Sequence, residues 1–492
     1  MAKNIILLHT DQQRWDSLGC YGNGSARTPH LDRLAGEGVR FEHHYASNPV
    51  CMPSRASLLT GRHLPAHGVI DNGIPLDLRV ETLASALGKS GYDTFAAGKL
   101  HLTPFQSPAG LNHGESFAAW ESGGLNGWDG PYYGFGRVSL VSGHGEGPAN
   151  PRLGHYGRWL AAHHPEVFEL TGIDRAPEPK FPGVYRSQVP VECHHSAYVA
   201  DRAIEYLEDR DSGRPFFIFA GFPDPHCPFT PPEEYAALFD GVEFPAPSFR
   251  EGEHEGKPSH YARLMHDHLF PTDGGATRAP DAEMLHHIVQ NTYAMVTLID
   301  RSVGRILDSL ERLGLADETI VCFTSDHGEL LGDHGLLYKG QLPYASLMRV
   351  PFIIRAPGIA PRVTCAPMGN VDVMPTLMAL AGVAVPTGVQ GESYVPVMTG
   401  GAGRVRDAAF SCGWSKASRL YRHMSLHSDT WRITWWPGQQ DGELYDLTSD
   451  PNEFENLFHR EEHRGRRDAL MEVLLRAYAE AGPLEPHVLC NW

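Results

Sequence analysis

The sequence is notable first for what it does not contain. In its 492 residues, no apolar run approaches the roughly 18 to 20 residues that a membrane-spanning helix needs. Basic residues are scarce, because 41 Lys and Arg stand against 59 Asp and Glu, which gives a formal net charge of −18. This charge opposes binding to nucleic acid and to anionic lipid. We therefore expect no nucleic-acid partner and no membrane association, and a small molecule as the binding partner.

Paired cysteines are also absent. Eight cysteines are scattered along the chain without a CxxC pair, so the sequence predicts neither a disulfide framework nor a zinc ribbon. The first residues, MAKNIILLHTDQQ, supply one lysine and a short apolar stretch without a small-residue cleavage site, unlike a signal peptide. The sequence therefore predicts a cytoplasmic protein.

Four short apolar runs share one design, since each has the length of a buried strand and is followed at once by polar residues. The runs are NIILLHTDQQ (4–13), YDTFAAGKLH (92–101), RPFFIFAGFPDPH (214–226) and TIVCFTSDHGE (319–329). Segments with helical periodicity lie between them. Alternating strands and helices predict an α/β fold with a large, mostly parallel sheet that is covered by helices on both faces.

The pattern changes near residue 400, where short alternating stretches replace the long apolar runs. These stretches predict a small antiparallel sheet, followed by a closing helix over 464–480. We therefore expect a larger domain over 1–400 and a smaller one over 401–492, which suits the length of the chain. Residues 105–190 show no clean period and are predicted to form long loops. The apolar end of the tail LEPHVLCNW (484–492) is compatible with a homo-oligomer.

Polar side chains follow each of the four predicted strands. In parallel sheets the ligand site lies beyond the carboxyl ends of the strands, so these side chains should meet at one edge. Any one of these residues could simply be a solvated loop residue, but this interpretation accounts poorly for the whole set. The residues are Asp11, Gln12, Lys99, His101, His226, Asp326 and His327.

The stretch CMPSRASLLTGR (51–62) places Cys51 just ahead of a short apolar helix. Pro53 suits the first turn and Gly61 the position after the end, so ASLLT is the predicted helix body. Cys51 then lies at the positive end of the helix, which favours an anion. A structural cysteine and a thiolate nucleophile are both open. The arginine that phosphatases carry six positions after the cysteine is absent, because residue 57 is serine.

The neighbours of Cys51 support a third interpretation. Cys51, Pro53, Ser54 and Arg55, followed by TGR, resemble the signature of the type I sulfatases of the alkaline phosphatase superfamily. Further segments agree with that family, namely DQQRWDSLGCYGN, GKLHL, PHCPF, SDHGELLGDHG, YKG and ELYDLTSDPNEFENL. The resemblance implies an alkaline phosphatase-like fold, with a large mixed sheet, and an arylsulfatase-like hydrolase of sulfate monoesters. It also implies that a formylglycine-generating enzyme oxidises Cys51 to formylglycine, whose hydrated aldehyde is the nucleophile.

The resemblance implies one divalent metal ion, held by Asp11, Gln12, Asp326, His327 and the modified Cys51. Mostly oxygen ligands favour a hard cation, so calcium is the expected ion, with manganese, magnesium and zinc as alternatives. The family's usual pattern is two aspartates on the first strand and a later Asp-Asn pair. This chain has Asp-Gln and Asp-His instead. Gln12 removes one negative charge from the metal site, and the histidine ligand makes the site more able to bind manganese or zinc.

The remaining roles also come from the resemblance. Arg55 would hold the hydrated formylglycine and the sulfate, while Lys99 and Lys339 would contact the sulfate oxygens. His101 would take a proton from the second hydroxyl of the hydrate, and His226 would be the general acid at the leaving group. A weaker expectation is a sulfate contact from the Asn72 side chain, since a turn-forming asparagine is the alternative.

Two rival functions remain open from the sequence. The first is a phosphonate monoester or phosphodiester hydrolase with the same nucleophile. That subgroup tends to replace the lysine and histidine of GKLHL with tyrosine and threonine, so Lys99 and His101 favour a sulfate ester as the small-molecule substrate. The second rival is a binding protein that keeps the pocket without catalysis.

Overall fold

The structure is a computed structural model that describes residues 3–144, 152–172, 183–264, 275–415 and 421–482. The tail that suggested a homo-oligomer, 484–492, lies outside the described residues. Within these ranges, none of the helices combines the length and apolar character needed to cross a membrane.

Sixteen strands are found in the described residues. They are β1 (Asn4–Thr10), β2 (Val39–Phe41), β3 (His44–Tyr45), β4 (Asp93–Gly98), β5 (Arg137–Leu140), β6 (Phe216–Gly221), β7 (Thr277–Arg278), β8 (Thr319–Ser325), β9 (Leu336–Leu337), β10 (Phe352–Arg355), β11 (Arg362–Thr364), β12 (Met368–Gly369), β13 (Ala409–Gly413), β14 (His423–His427), β15 (Trp431–Trp436) and β16 (Asp441–Asp446). The four predicted strands correspond to β1, β4, β6 and β8.

Eight of these strands form the main sheet, in the order β11-β2-β10-β8-β1-β6-β4-β5. Strands β8, β1, β6, β4 and β5 run parallel to one another, whereas β10 is antiparallel to both of its neighbours. The prediction of a large mixed and mostly parallel sheet is confirmed. Because parallel strands share a direction, the carboxyl ends of β1, β4, β6 and β8 meet at one edge.

Fifteen α-helices connect the strands in the described residues. They are α1 (Pro29–Glu37), α2 (Cys51–Thr60), α3 (Leu64–His67), α4 (Leu83–Lys89), α5 (Phe117–Glu121), α6 (Gly154–His163), α7 (Pro165–Phe168), α8 (His195–Asp209), α9 (Glu233–Ala236), α10 (His260–Leu264), α11 (Ala282–Arg312), α12 (Ala345–Met348), α13 (Val373–Ala381), α14 (Val395–Met398) and α15 (Arg464–Glu480).

Helices cover both faces of the main sheet. Strand β1 alternates between the two cores, because Ile5 and Leu7 pack with α2, α4 and α13, while Ile6 and Leu8 pack with α1, α8 and α11. All seven residues of β1 are buried. A strand that is buried on both faces must be apolar almost throughout, which explains the continuous run NIILL.

The prediction of long loops over 105–190 is wrong in its described part. Strand β5 pairs in parallel with β4 at the edge of the main sheet, and α5, α6 and α7 lie in the same segment. These elements are short and rich in glycine and aromatic residues, so they form no clear apolar period. Packing against the sheet, rather than local propensity, fixes them.

The predicted C-terminal sheet is confirmed. Strands β13, β14, β15 and β16 form an antiparallel meander in sequence order, and α15 spans the predicted 464–480. Trp436 of β15 is fully buried and packs with Tyr261 and Tyr344 outside the small sheet. The small sheet is thus joined to the rest of the fold by an apolar contact. The boundary at residue 400 stays a prediction.

Candidate active site

Helix α2 begins at Cys51, five residues earlier than the predicted body ASLLT. Pro53 lies in its first turn, and Gly61 ends the helix with a φ of 62°, so the predicted start and stop signals are correct. Every residue of α2 is buried. The helix therefore presents its amino end, with Cys51, to the carboxyl edge of the main sheet.

Cys51 is surrounded by side chains from three other segments. Its Sγ lies 2.9 Å from Lys339 Nζ, 3.3 Å from His327 Nε2 and 3.7 Å from Asp11 Oδ1. The residue is 1% exposed. Burial and Asp11 raise the pKa of the thiol, but Lys339, Lys99 and His327 outweigh them, and the net shift is downward. The pocket thus stabilises a negative charge at position 51.

Arg55 lies one turn further along α2 and links the site together. Its Nε donates to Asp326 Oδ2 at 2.8 Å, its Nη1 donates to the Lys99 carbonyl at 2.9 Å, and its Nη2 lies 3.2 Å from Asp11 Oδ2. The side chain is 1% exposed. One guanidinium therefore fixes three strand ends relative to each other, which a flexible ammonium cannot do.

The two aspartates of the site are charged despite full burial. Burial raises the pKa of the Asp11 carboxyl, but Lys99, which contacts Oδ2 directly, and Arg55 hold it well below its usual value. Burial and Asp11 raise the pKa of Asp326, but His327 and Arg55 bring it below the ordinary value. Both carboxylates are thus available as anionic ligands.

The predicted metal ligands form one buried cluster. Ligand atoms of Asp11, Cys51, Asp326 and His327 all lie within 4.8 Å of one another. His327 Nδ1 donates to the Gly328 carbonyl at 2.9 Å, which leaves Nε2 as the ring nitrogen that faces the cluster, 3.3 Å from Cys51 Sγ. Metal-bound histidines usually carry such a hydrogen bond on the other ring nitrogen.

Gln12 offers a further oxygen donor next to this cluster. Its backbone N–H donates to Asp326 Oδ1 at 2.9 Å, while its side-chain Oε1 is buried and has no hydrogen-bond partner among the described residues. Buried carbonyl oxygens are rarely left without a partner, and a cation supplies one. The residues present therefore fit a divalent cation with mainly oxygen ligands and one imidazole.

Lys339 and His226 form a second pair above Cys51. Lys339 Nζ lies 2.6 Å from His226 Nε2, and His226 Nδ1 donates to the Cys227 carbonyl. With Nδ1 protonated, Nε2 accepts the ammonium proton of Lys339. Burial and the Lys339 charge lower the pKa of His226 well below its usual value. One proton is therefore held between the two groups.

His101 lies in the loop after β4, and this loop donates backbone hydrogen bonds to the buried carboxylate of Glu115. The backbone N–H of His101 donates to Glu115 Oε1, and its ring stacks on Phe105 with centroids 4.1 Å apart. Ring Nδ1 is buried and has no hydrogen-bond partner among the described residues. Burial lowers the pKa of His101 well below its usual value, so the ring is neutral and can accept a proton.

Asn72 lies beside the amino end of α2. Its Oδ1 accepts the backbone N–H of Met52 at 3.0 Å. The side chain therefore caps one of the unpaired donors of the first turn of α2. A sulfate contact from the Asn72 amide nitrogen stays a prediction.

Two nearby residues were missed by sequence reasoning. The ring of His144 stacks on His226 with centroids 3.7 Å apart, and its Nε2 lies 4.0 Å from Asp11 Oδ2. Glu329 accepts a hydrogen bond from Gln12 Nε2. His144 follows β5, which the sequence did not reveal, whereas Glu329 stands in the quoted motif SDHGELLGDHG and could have been found from its spacing to Asp326.

Comparison with protein families identifies the class of protein that this fold and site define. The sequence model of the Sulfatase family matches residues 3–383, and a model described as N-sulphoglucosamine sulphohydrolase, C-terminal, matches residues 332–480. The first match covers most of the chain. The chain therefore belongs to the sulfatase family, a family of sulfuric ester hydrolases.

Individual relatives agree over nearly the full length. The chain is 29% identical to an arylsulfatase of Clostridium perfringens, over 97% of this chain and 94% of the relative. It is 31% identical to the multifunctional alkaline phosphatase superfamily protein PehA of Trinickia caryophylli, over 81% of this chain and 77% of the relative. A solved structure, the phosphonate monoester hydrolase of Agrobacterium radiobacter, superposes with a TM-score of 0.82 at 27% identity, over 97% of this chain and 96% of that chain.

These comparisons confirm the predicted family, the fold class and the assignment as a sulfatase-type hydrolase. The motifs that carry the resemblance are dispersed along the chain, and the structure brings Asp11, Cys51, Lys99, Asp326 and His327 from four of them together at one site. The roles of single residues come from the resemblance and stay predictions.

Proposed function

We propose that this protein hydrolyses sulfate monoesters to an alcohol and sulfate, with formylglycine made from Cys51 as the nucleophile and one divalent metal ion. A single observation carries the proposal. The Cys51 side chain lies within one buried cluster with two ionised aspartates and His327, and also contacts Lys339. Such a buried cluster of charged groups suits the binding and cleavage of an anionic ester away from bulk solvent.

The two groups that complete the site have distinct chemistry. Hydrated formylglycine supplies one hydroxyl for attack and a second whose deprotonation releases the sulfate, and the metal supplies positive charge at the reacting oxygens. Asp11, Gln12, Asp326 and His327 would hold the metal together with position 51. Calcium is the proposed ion because oxygen ligands predominate, with manganese, magnesium and zinc as alternatives.

Cationic side chains of the chain would stabilise the sulfate. Arg55, Lys99 and Lys339 are each buried and lie around Cys51 and Asp11. In a site without bulk water, fixed charges act strongly on charge that develops at the sulfate oxygens and at the leaving oxygen. Asn72 is proposed as an additional sulfate contact.

Two histidines would move protons. The neutral ring of His101 has an unpartnered Nδ1 among the described residues, and it would accept the proton of the second hydroxyl. The pair of His226 and Lys339 would deliver a proton to the leaving oxygen, because their 2.6 Å contact holds one proton between two nitrogens. We keep His226 as the general acid, with Lys339 as its proton source.

The second candidate function is hydrolysis of phosphonate monoesters or phosphodiesters with the same nucleophile. The observation that favours it is the superposition with the phosphonate monoester hydrolase of Agrobacterium radiobacter at a TM-score of 0.82. Lys99 and His101 in the GKLHL segment favour the sulfate, as argued from the sequence.

The deciding experiment uses full-length protein produced together with a formylglycine-generating enzyme. Mass spectrometry of the tryptic peptide that contains Cys51 should show formylglycine, and the protein should hydrolyse 4-nitrophenyl sulfate faster than 4-nitrophenyl phenylphosphonate. The Cys51→Ala variant should be inactive on both. Unmodified cysteine after coproduction would contradict the proposed nucleophile, and a large preference for the phosphonate would favour the second candidate.

In this proposal, Cys51 is oxidised to formylglycine while the segment that forms α2 is still unfolded. Because Cys51 is 1% exposed and all of α2 is buried, an oxidising enzyme can reach the thiol only before α2 packs. A formylglycine-generating enzyme is therefore the proposed partner during synthesis. The cytoplasmic localisation, the homo-oligomer and the catalytic domain over 1–400 stay predictions from the sequence.

A further inference from the structure

A buried amide and a buried carboxylate form a pair at the rim of the metal cluster. Gln12 and Glu329 are each 2% exposed, and Gln12 Nε2 donates to Glu329 Oε2. The other carboxylate oxygen, Oε1, accepts the backbone N–H of Leu331 at 3.2 Å. Both oxygens of Glu329 therefore accept N–H donors.

This pairing fixes the direction of the Gln12 amide. The Glu329 carboxyl group accepts from the NH2 group of Gln12, so the carbonyl oxygen of the amide is turned the other way. That oxygen, Oε1, is the buried atom without a hydrogen-bond partner among the described residues. The Gln12 backbone N–H contacts Asp326 Oδ1, so the residue adjoins the cluster through its backbone. An isolated glutamine would be free to present either end of its amide.

The pair also concerns the charge of the site. Gln12 stands where the resemblance leads us to expect an aspartate, so the first coordination sphere has one negative charge fewer. Among the described residues, no lysine or arginine forms an ion pair with Glu329. The hydrogen bond that Gln12 Nε2 donates to Glu329 polarises the amide towards Oε1.

We propose that Glu329 is a positioning residue, which aims Gln12 Oε1 at the divalent metal and makes that oxygen a stronger ligand. The inference rests on the metal site of the proposed function. Groups that orient metal ligands typically change metal affinity by 10- to 100-fold when they are replaced. Glu329 thus acts on the ligand set through one hydrogen bond to Gln12.

The test measures metal binding rather than turnover. Chelator-treated full-length protein is titrated by calorimetry with calcium chloride and, separately, with manganese chloride. In Glu329→Gln, the new amide can donate to Gln12 Oε1 and compete with the metal. We expect a Kd that is about 10- to 100-fold higher than that of the wild type. The matched control is Glu253→Gln, which replaces another buried glutamate and should leave the Kd unchanged.

A second pair of variants separates positioning from a merely structural role. Gln12→Glu places two carboxylates against each other, and Glu329→Gln in that background restores a hydrogen bond with donor and acceptor exchanged. The replacement of Glu329 should therefore tighten binding in the Gln12→Glu background, although it weakens binding in the wild type. If Glu329 had only a structural role, its replacement would weaken metal binding in both backgrounds. If the single Glu329→Gln variant does not fold, the Gln12→Glu background decides alone: tighter binding on replacement of Glu329 supports the inference, and weaker binding overturns it.

The outcomes distinguish the inference from the proposed function. If the wild type binds neither ion, the metal site itself is wrong, and the inference falls with it. If the wild type binds an ion and Glu329→Gln binds it equally well, the inference alone is overturned. A reversal of sign between the two backgrounds supports it.

Discussion

The carboxylate of Glu115 accepts the backbone N–H of His101, and His101 has a φ of 56° in the left-handed region. The same carboxylate accepts the N–H of Leu102 at 2.9 Å and of Thr103 at 3.3 Å. Left-handed backbone is unfavourable for residues other than glycine and needs such support. One buried side chain thus holds the proposed proton acceptor in place.

The first prediction concerns Glu115→Gln. Glutamine offers only one acceptor oxygen, and its NH2 group would face backbone N–H groups. We expect a free energy of unfolding lower by about 1.5–3 kcal/mol, measured in urea, and a lower kcat on 4-nitrophenyl sulfate. The exposed Glu121→Gln should change the unfolding free energy by no more than about 0.5 kcal/mol. Equal behaviour of both variants would refute the role of Glu115.

Much of this fold was predictable from the sequence, because strands that are buried on both faces form continuous apolar runs that are easily recognised. Strands β1, β6 and β8 are buried at every position, and each ends at the polar residues that the sequence singled out. The convergence of those residues then follows from the parallel direction of the strands. The C-terminal meander was equally clear, because alternating patterns and turn residues separate its strands.

The remaining parts depend on contacts between distant segments. Strand β5 is short and is defined by its pairing with β4, so no local pattern reveals it. Helix α2 begins at Cys51 because packing extends it beyond the apolar body. Glu115 acts through hydrogen bonds to the loop that follows β4, and a single sequence contains no signal for such a partner.

The second prediction concerns Arg55→Lys. Arg55 contacts Asp326, Asp11 and the Lys99 carbonyl through three different nitrogens, which one ammonium cannot reproduce. We expect kcat/KM on 4-nitrophenyl sulfate to fall about 100- to 1000-fold, as when a fixed donor is removed from a site that stabilises an anion. Arg79→Lys changes an exposed arginine and should leave kcat/KM unaltered. A loss of less than tenfold in Arg55→Lys would show that charge alone suffices.

The third prediction concerns the pH dependence of stability. Asp300 is 2% exposed and accepts the N–H groups of His30 and Leu31 at the start of α1, and burial raises its pKa to about 7. Between its ordinary pKa near 4 and this value, the folded protein binds more protons than the unfolded chain. The free energy of unfolding therefore falls as pH rises through this window.

Asp300→Asn should remove this contribution. Asparagine cannot ionise, so the difference in unfolding free energy between variant and wild type should move in favour of the variant from pH 4 to pH 7. Burial also raises the pKa of Glu253 to about 7, so Glu253 contributes to the pH dependence of stability with the same sign. This contribution is present in both proteins and cancels from their difference. Urea unfolding at several pH values measures the difference, and a difference that stays constant over this range would contradict the assignment.

The last prediction concerns the junction between the small sheet and the rest of the fold. Arg432 of β15 is 1% exposed and pairs with Glu453, whose other oxygen accepts the Ala345 N–H at the start of α12. Arg432 also lies 3.5 Å from buried Glu443. In Arg432→Met these carboxylates lose the guanidinium that pairs with both, and among the described residues only Lys257 remains as a nearby cation. A buried pair broken in this way costs about 3–5 kcal/mol in urea unfolding. Arg33→Met, at the exposed pair with Asp308, should cost less than about 1 kcal/mol. Similar costs for the two variants would mean that the buried network does not anchor the small sheet.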